Sequence, residues 1–109
     1  MPRYVLALDL IDNPALIAEY EKYHQEVWPG IVASIRDAGI TALDIYRTGN
    51  RLCMIMETSA EFSFEKKAAM DAANPEVQKW ETLMWNYQQA LPGAAPGEKW
   101  KIMQQIFEL

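Results

Sequence analysis

Three features of the sequence predict an α+β domain with the element order β-α-β-β-α-β. Two Asn-Pro pairs, Asn13-Pro14 and Asn74-Pro75, each open a stretch of helical periodicity. A Thr48-Gly49-Asn50 turn joins two short runs rich in β-branched, aromatic and long apolar side chains. Apolar segments near both ends, residues 4–10 and 100–109, have the alternation of strands.

Each element has a local cause. Tyr4, Leu6, Leu8 and Leu10 share one parity, and the other parity is nearly as apolar, as in a strand covered on both faces. Asn13 then supplies an N-cap, and Pro14 fits the first helical position, where its missing N–H costs nothing. The helical pattern runs from there to Ala38 and stops at Gly39. Within it, Pro29 removes a donor and clashes with the Gln25 carbonyl, so a kink or an early helix end is expected. Residues 42–47 and 52–57 form the hairpin, with Gly and Asn in its turn. Residues 62–73 are a weaker helical or irregular stretch, and the helix from Asn74-Pro75 is expected to end near Leu91. Pro92-Gly93 and Pro96-Gly97 punctuate a loop before the final strand.

This order is the ferredoxin-like split βαβ arrangement, with both helices on one face of a four-stranded antiparallel sheet. The opposite face carries Val5, Ala7, Cys53 and Ile55, which are too apolar to leave wet. A second copy of the chain is the simplest cover, so a homodimer is expected.

Bulk properties narrow the function. The chain's 109 residues make one domain spanning 1–109, with one core and no repeats or linkers. Half the residues are hydrophobic and 11% aromatic, an ordinary globular composition. A net charge of −5 without a Lys/Arg cluster argues against nucleic-acid partners. Cys53 is the single cysteine, which rules out an intrachain disulfide and disfavours a thiolate metal cluster. There is neither a signal-peptide pattern nor an apolar run long enough to span a membrane, so the expected setting is the cytoplasm. Phosphate-cradling glycine loops, nucleophile elbows, HExxH and dinucleotide fingerprints are all missing. Proton transfer or simple binding remains.

His24 is the only histidine. On a helical wheel it falls in the apolar arc of Leu16, Tyr20, Tyr23, Val27, Ile31 and Ile35, one turn after Tyr20 and one turn before Trp28. A titratable ring therefore points toward the core or a pocket in it. One reading is a structural ring bonded to a backbone carbonyl. Metal binding is a poor option, because no other Cys, His or paired carboxylates stand nearby. The other reading is acid–base catalysis, since imidazole titrates near neutral pH. On the last helix Val77, Trp80, Met84 and Leu91 share a face, with Glu81 at its edge and Trp85 displaced. Such a face is ordinary core material, yet a Trp beside a carboxylate also suits a sugar: the ring covers C–H faces and Glu81 accepts hydroxyl protons. On the hairpin, Leu43 and Ile45 fall on the helix-facing side, and Asp44 and Tyr46 on the other.

Through Tyr20-Glu21-Lys22-Tyr23-His24 and Val27-Trp28-Pro29 the chain resembles the L-rhamnose mutarotase family, and the likeness extends over essentially its whole length. The resemblance implies a dimeric α+β barrel of ferredoxin-like subunits working without a cofactor. It matches His24 to the family's proton donor and Tyr20 to a substrate-contacting tyrosine. Two positions depart from the rhamnose enzymes. Leu43 stands where they carry a pocket tyrosine, and Trp80 is followed by Glu81 where they carry paired tryptophans. The Ile45-Tyr46-Arg47 strand, Met70-Asp71-Ala72-Ala73-Asn74-Pro75 and Trp80-Glu81-Thr82-Leu83-Met84-Trp85 look more like the branch labelled L-fucose mutarotase.

The expectation is therefore an isomerase that interconverts the α and β anomers of a 6-deoxy-hexose, L-fucose above L-rhamnose. His24 transfers protons, while Tyr20, Trp80 and Glu81 bind the sugar, and no metal or cofactor takes part. The rivals are a cofactor-free monooxygenase or isomerase, or a sugar-binding module, of the same dimeric fold.

Overall fold

The computed structural model describes residues 2–109, in the order β1 (Arg3–Leu10), α1 (Pro14–Gln25), α2 (Pro29–Asp37), β2 (Ile40–Thr48), β3 (Arg51–Thr58), α3 (Phe64–Ala72), α4 (Pro75–Trp85), β4 (Gln88–Gln89) and β5 (Lys101–Ile102). All strand pairs are antiparallel. β1 lies inside the sheet, with β3 and then β2 on one side and the short β4 and β5 sharing its other edge. This is the ferredoxin-like α+β arrangement.

Both Asn-Pro pairs cap helices as their chemistry dictates. The Asn13 carbonyl oxygen accepts the Ala15 and Leu16 amides at 3.0 and 3.2 Å. Asn74 does the same for Glu76 and Val77 at 3.0 and 3.4 Å. Pro29 splits the first helical region. α1 stops at Gln25, and Pro29 begins α2, where no N–H is needed. Gly39 has φ +95°, and a Cβ there would meet the Ser59 Oγ at 2.9 Å. Residues 62–73 contain a helix, α3, capped by the Ser63 hydroxyl, which accepts the Lys66 amide at 3.0 Å.

Two expected boundaries are corrected. The last helix ends at Trp85 rather than near Leu91. The apolar period lapses after Met84, and Tyr87 and Gln88 pair with the end of β1 instead: Ile11 N–H donates to the Tyr87 carbonyl at 2.8 Å, and Gln88 stands opposite Leu10. The final strand covers only Lys101–Ile102 rather than residues 100–109. Ile102 stands opposite Leu6, and Met103 N–H donates to the Val5 carbonyl at 2.7 Å. Since β1 begins at Arg3, that register leaves nothing for Ile106 and Phe107 to pair with, and they are exposed.

The inner sheet face, with Leu6, Leu10, Leu52 and Met56, packs against Tyr20, Ile31, Val77, Trp80 and Met84 from the helices. On the outer face Val5, Cys53 and Ile55 are half-buried and Tyr46 is exposed. There the buried Asp9 carboxylate takes two bonds from the Arg51 guanidinium, at 2.7 and 3.0 Å. No helix among the described residues is long and apolar enough to cross a membrane.

Candidate active site

The site forms where the last turn of α1 faces α4 across the inner sheet. The 3.6-residue period puts Tyr20 and His24 one above the other, with ring centroids 4.3 Å apart. His24 Nδ1 lies 2.9 Å from the Tyr20 backbone oxygen. A carbonyl only accepts, so Nδ1 carries the proton and donates. The lone pair of the neutral ring is then on Nε2, to which no described residue is hydrogen-bonded. The backbone bond that a structural histidine needs is made, and it leaves the other nitrogen free for chemistry.

Trp80 forms the opposite wall. It is nearly buried, stands edge-on to His24 at 5.7 Å, and packs against Trp28 at 5.0 Å and Tyr23 at 6.4 Å. These contacts hold the indole in one orientation beside the imidazole. Trp80 therefore belongs both to the core and to the site.

Tyr20, His24, Leu43, Trp80, Gln88 and Trp100 line a hollow of about 150 Å³. An adjoining hollow of about 300 Å³ shares Leu43, Trp80, Gln88 and Trp100 and extends to Glu81, Lys99, Lys67 and Asp71. Together they make one cleft, which falls within the usual size of small-ligand sites, about 300–1,000 Å³. Its walls are largely apolar, with a few polar groups converging on them. The structure thus brings Tyr20, His24 and Trp80 into one hollow and puts Glu81 in the next, one residue along α4. Leu43 faces both hollows from β2.

Burial pushes the Tyr20 phenol up to about 12, and the neighbouring Gln88 carboxamide opposes part of that rise. Tyr20 is therefore a neutral hydrogen-bonding group at physiological pH and no base. Lys99 Nζ reaches the Glu81 backbone oxygen at 3.4 Å and stands 5.1 Å over the Trp85 ring, which ties the loop before β5 to α4. Lys67 and Asp71 form an ion pair within α3 at the far end of the cleft. Among the described residues no three His, Cys, Asp or Glu side chains gather as a metal site.

Gln88 and Trp100, which line both hollows, escaped the sequence reading. Gln88 fell inside an over-extended helix and Trp100 inside an over-extended strand. Once Gln88 is paired with Leu10, parity turns it inward, and that register is the signal that finds it.

A family model described as L-rhamnose mutarotase matches residues 3–109. The chain is 51% identical over 111 residues to a Xanthomonas campestris pv. campestris protein named L-fucose mutarotase, covering 100% of this chain and 89% of that one. It is 30% identical over 89 residues to an L-rhamnose mutarotase of Acidiphilium cryptum, covering 77% and 79% of the two chains. Among solved structures, it resembles an L-rhamnose mutarotase from Formosa agariphila with a TM-score of 0.74 at 19% identity, covering 100% and 99%. It also resembles a dimeric ferredoxin-like protein from an uncultured marine organism, with a TM-score of 0.56 at 14% identity and coverage of 98% and 90%. At these identities the structural likeness is one of fold.

Proposed function

The chain belongs to the L-rhamnose mutarotase family, and from that premise we propose that it interconverts the α and β anomers of a 6-deoxy-hexose, L-fucose first. It is an isomerase acting on a carbohydrate. One observation carries the mechanism: His24 Nδ1 is anchored to the Tyr20 carbonyl, and Nε2 is free in an aromatic-walled cleft.

The chemistry follows from that geometry. Neutral His24 Nε2 takes the proton of the anomeric hydroxyl as the bond from the anomeric carbon to the ring oxygen breaks. The anomeric oxygen becomes the aldehyde oxygen, and the imidazolium returns its proton to the released ring oxygen. After the aldehyde rotates, the same steps run in reverse and close the ring on the other face. One acid–base group suffices, and its contribution is typically about 10²–10⁴-fold. Tyr20, held neutral by burial, positions a sugar oxygen with its hydroxyl. Trp80 covers the sugar's C–H face, and Glu81 accepts a hydroxyl proton.

Substrate choice rests on two wall residues. Leu43 offers no hydrogen bond, and Glu81 offers a strong acceptor beside Trp80. The 51% identity to a protein named L-fucose mutarotase favours the same sugar. L-rhamnose, the substrate named for more distant relatives, is the second reading. The working form is a homodimer, supported by the apolar side chains that one copy leaves exposed, and its single cysteine suits the reducing cytoplasm. Exchange NMR on both sugars at equal concentration tests the choice. Exchange of L-fucose should be about tenfold faster or more, the effect of one unpaired buried polar group. Equal rates, or a preference for L-rhamnose, contradict a specificity set by Leu43 and Glu81. Binding without exchange contradicts the enzyme reading.

A further inference from the structure

We propose that Gln88 is a specificity-determining residue, a carboxamide that reads one sugar hydroxyl and holds the Tyr20 hydroxyl in place. This rests on the mutarotase reading. Gln88 is the buried polar side chain on β4, only 8% exposed, and it lines both hollows of the cleft. It faces inward because it pairs with Leu10 at the end of β1. Its neighbour Gln89, opposite Asp9, is exposed on the other face and has no access to the cleft.

A carboxamide has two donors and an acceptor oxygen with two lone pairs. The Tyr20 hydroxyl neighbours the carboxamide, and no described residue is hydrogen-bonded to the amide, which opens onto the cleft. Buried polar groups are ordinarily satisfied, so the unused capacity at the wall of a cleft points to a ligand. With its NH₂ turned to the Tyr20 oxygen, Gln88 leaves its carbonyl free to accept a sugar O–H. The Tyr20 proton is then free to be donated to a second sugar oxygen. The pair so reads two adjacent oxygens and fixes the sugar against His24. Leu43 in the same hollow supplies no polar group, which leaves this reading to Gln88.

Gln88→Met keeps side-chain length and removes both hydrogen-bonding ends, and Gln88→Leu removes them from a shorter side chain. Both are compared with the wild-type protein on L-fucose and on analogues each lacking one ring hydroxyl. Anomer exchange is followed by exchange NMR and binding by saturation-transfer NMR. Gln88→Met should weaken L-fucose binding by about ten- to a hundredfold, seen in KM more than in kcat, with an unchanged pH profile. On the one analogue that lacks the contacted hydroxyl, wild type and Gln88→Met should bind alike. A loss of equal size on every analogue, or no loss on L-fucose, overturns the proposal. If Gln88→Met fails to fold, the same hydroxyl-selective comparison is made with Gln88→Leu, and an equal loss on every analogue again overturns it. Because binding is read separately from turnover, a wild-type protein that binds L-fucose without exchanging it counts against the mutarotase reading alone.

Discussion

The His24 imidazole donates through Nδ1 to the backbone carbonyl of Tyr20 at 2.9 Å, one helical turn earlier. A backbone acceptor cannot be deleted by changing the Tyr20 side chain. The two residues are therefore separable: the main chain at 20 orients the base, while the phenol at 20 meets the substrate.

Tyr20→Phe follows from that separation. The variant should lose about tenfold in kcat/KM for anomer exchange, the effect of one hydrogen bond, and keep the wild-type pH profile. A shifted pH profile contradicts the separation.

The same phenol sets a stability limit in alkali. Burial lifts Tyr20 from 10.0 to about 12, so the folded chain holds this proton more tightly than the unfolded chain. The resulting stabilisation is complete below pH 10.0 and is lost as pH rises toward about 12. Denaturant melts across that window should show a shallower decline for Tyr20→Phe than for wild type. Parallel declines contradict the assignment.

Gly39 is required by backbone geometry and close approach together. Its φ of +95° disfavours any Cβ, and the Ser59 Oγ stands 2.9 Å from where one would be. Gly39→Ala should cost about 1–3 kcal/mol, the usual range for a strained backbone position. A thermal midpoint unchanged from wild type contradicts this.

The outer sheet face and the end of the chain predict assembly. Tyr46 is 60% exposed, Ile106 92% and Phe107 74%, and β1 has no backbone left to pair with the last two. A second copy should cover this surface, giving a dimer by light scattering at micromolar concentration. Ile106→Asp with Phe107→Asp should shift the protein toward monomer. A wild-type monomer contradicts the prediction.

What could be read from sequence was whatever local chemistry decides. Asn13 and Asn74 act as caps whatever lies beyond them, Pro29 ends a helix wherever it stands, and Tyr20, His24 and Trp80 gain their placement from helical period alone. The region after Met84 is decided by contacts distant in sequence. Gln88 leaves the helix because Leu10 offers unpaired backbone, and Ile106 and Phe107 fall outside the sheet because β1 begins at Arg3. Neither partner is visible from the residues that pair with it. Gln88 and Trp100 were missed for that reason, and Glu81 proved to line the neighbouring hollow rather than the one that holds His24.

The central claim is that His24 moves the proton. Exchange NMR on L-fucose, with wild type and His24→Ala at matched concentration, tests it most directly. His24→Ala should retain near-UV circular dichroism and thermal midpoint close to wild type, because the ring is only half-buried. Its anomer exchange should fall by about 10²-fold or more. Wild-type exchange by a folded His24→Ala protein would contradict the account.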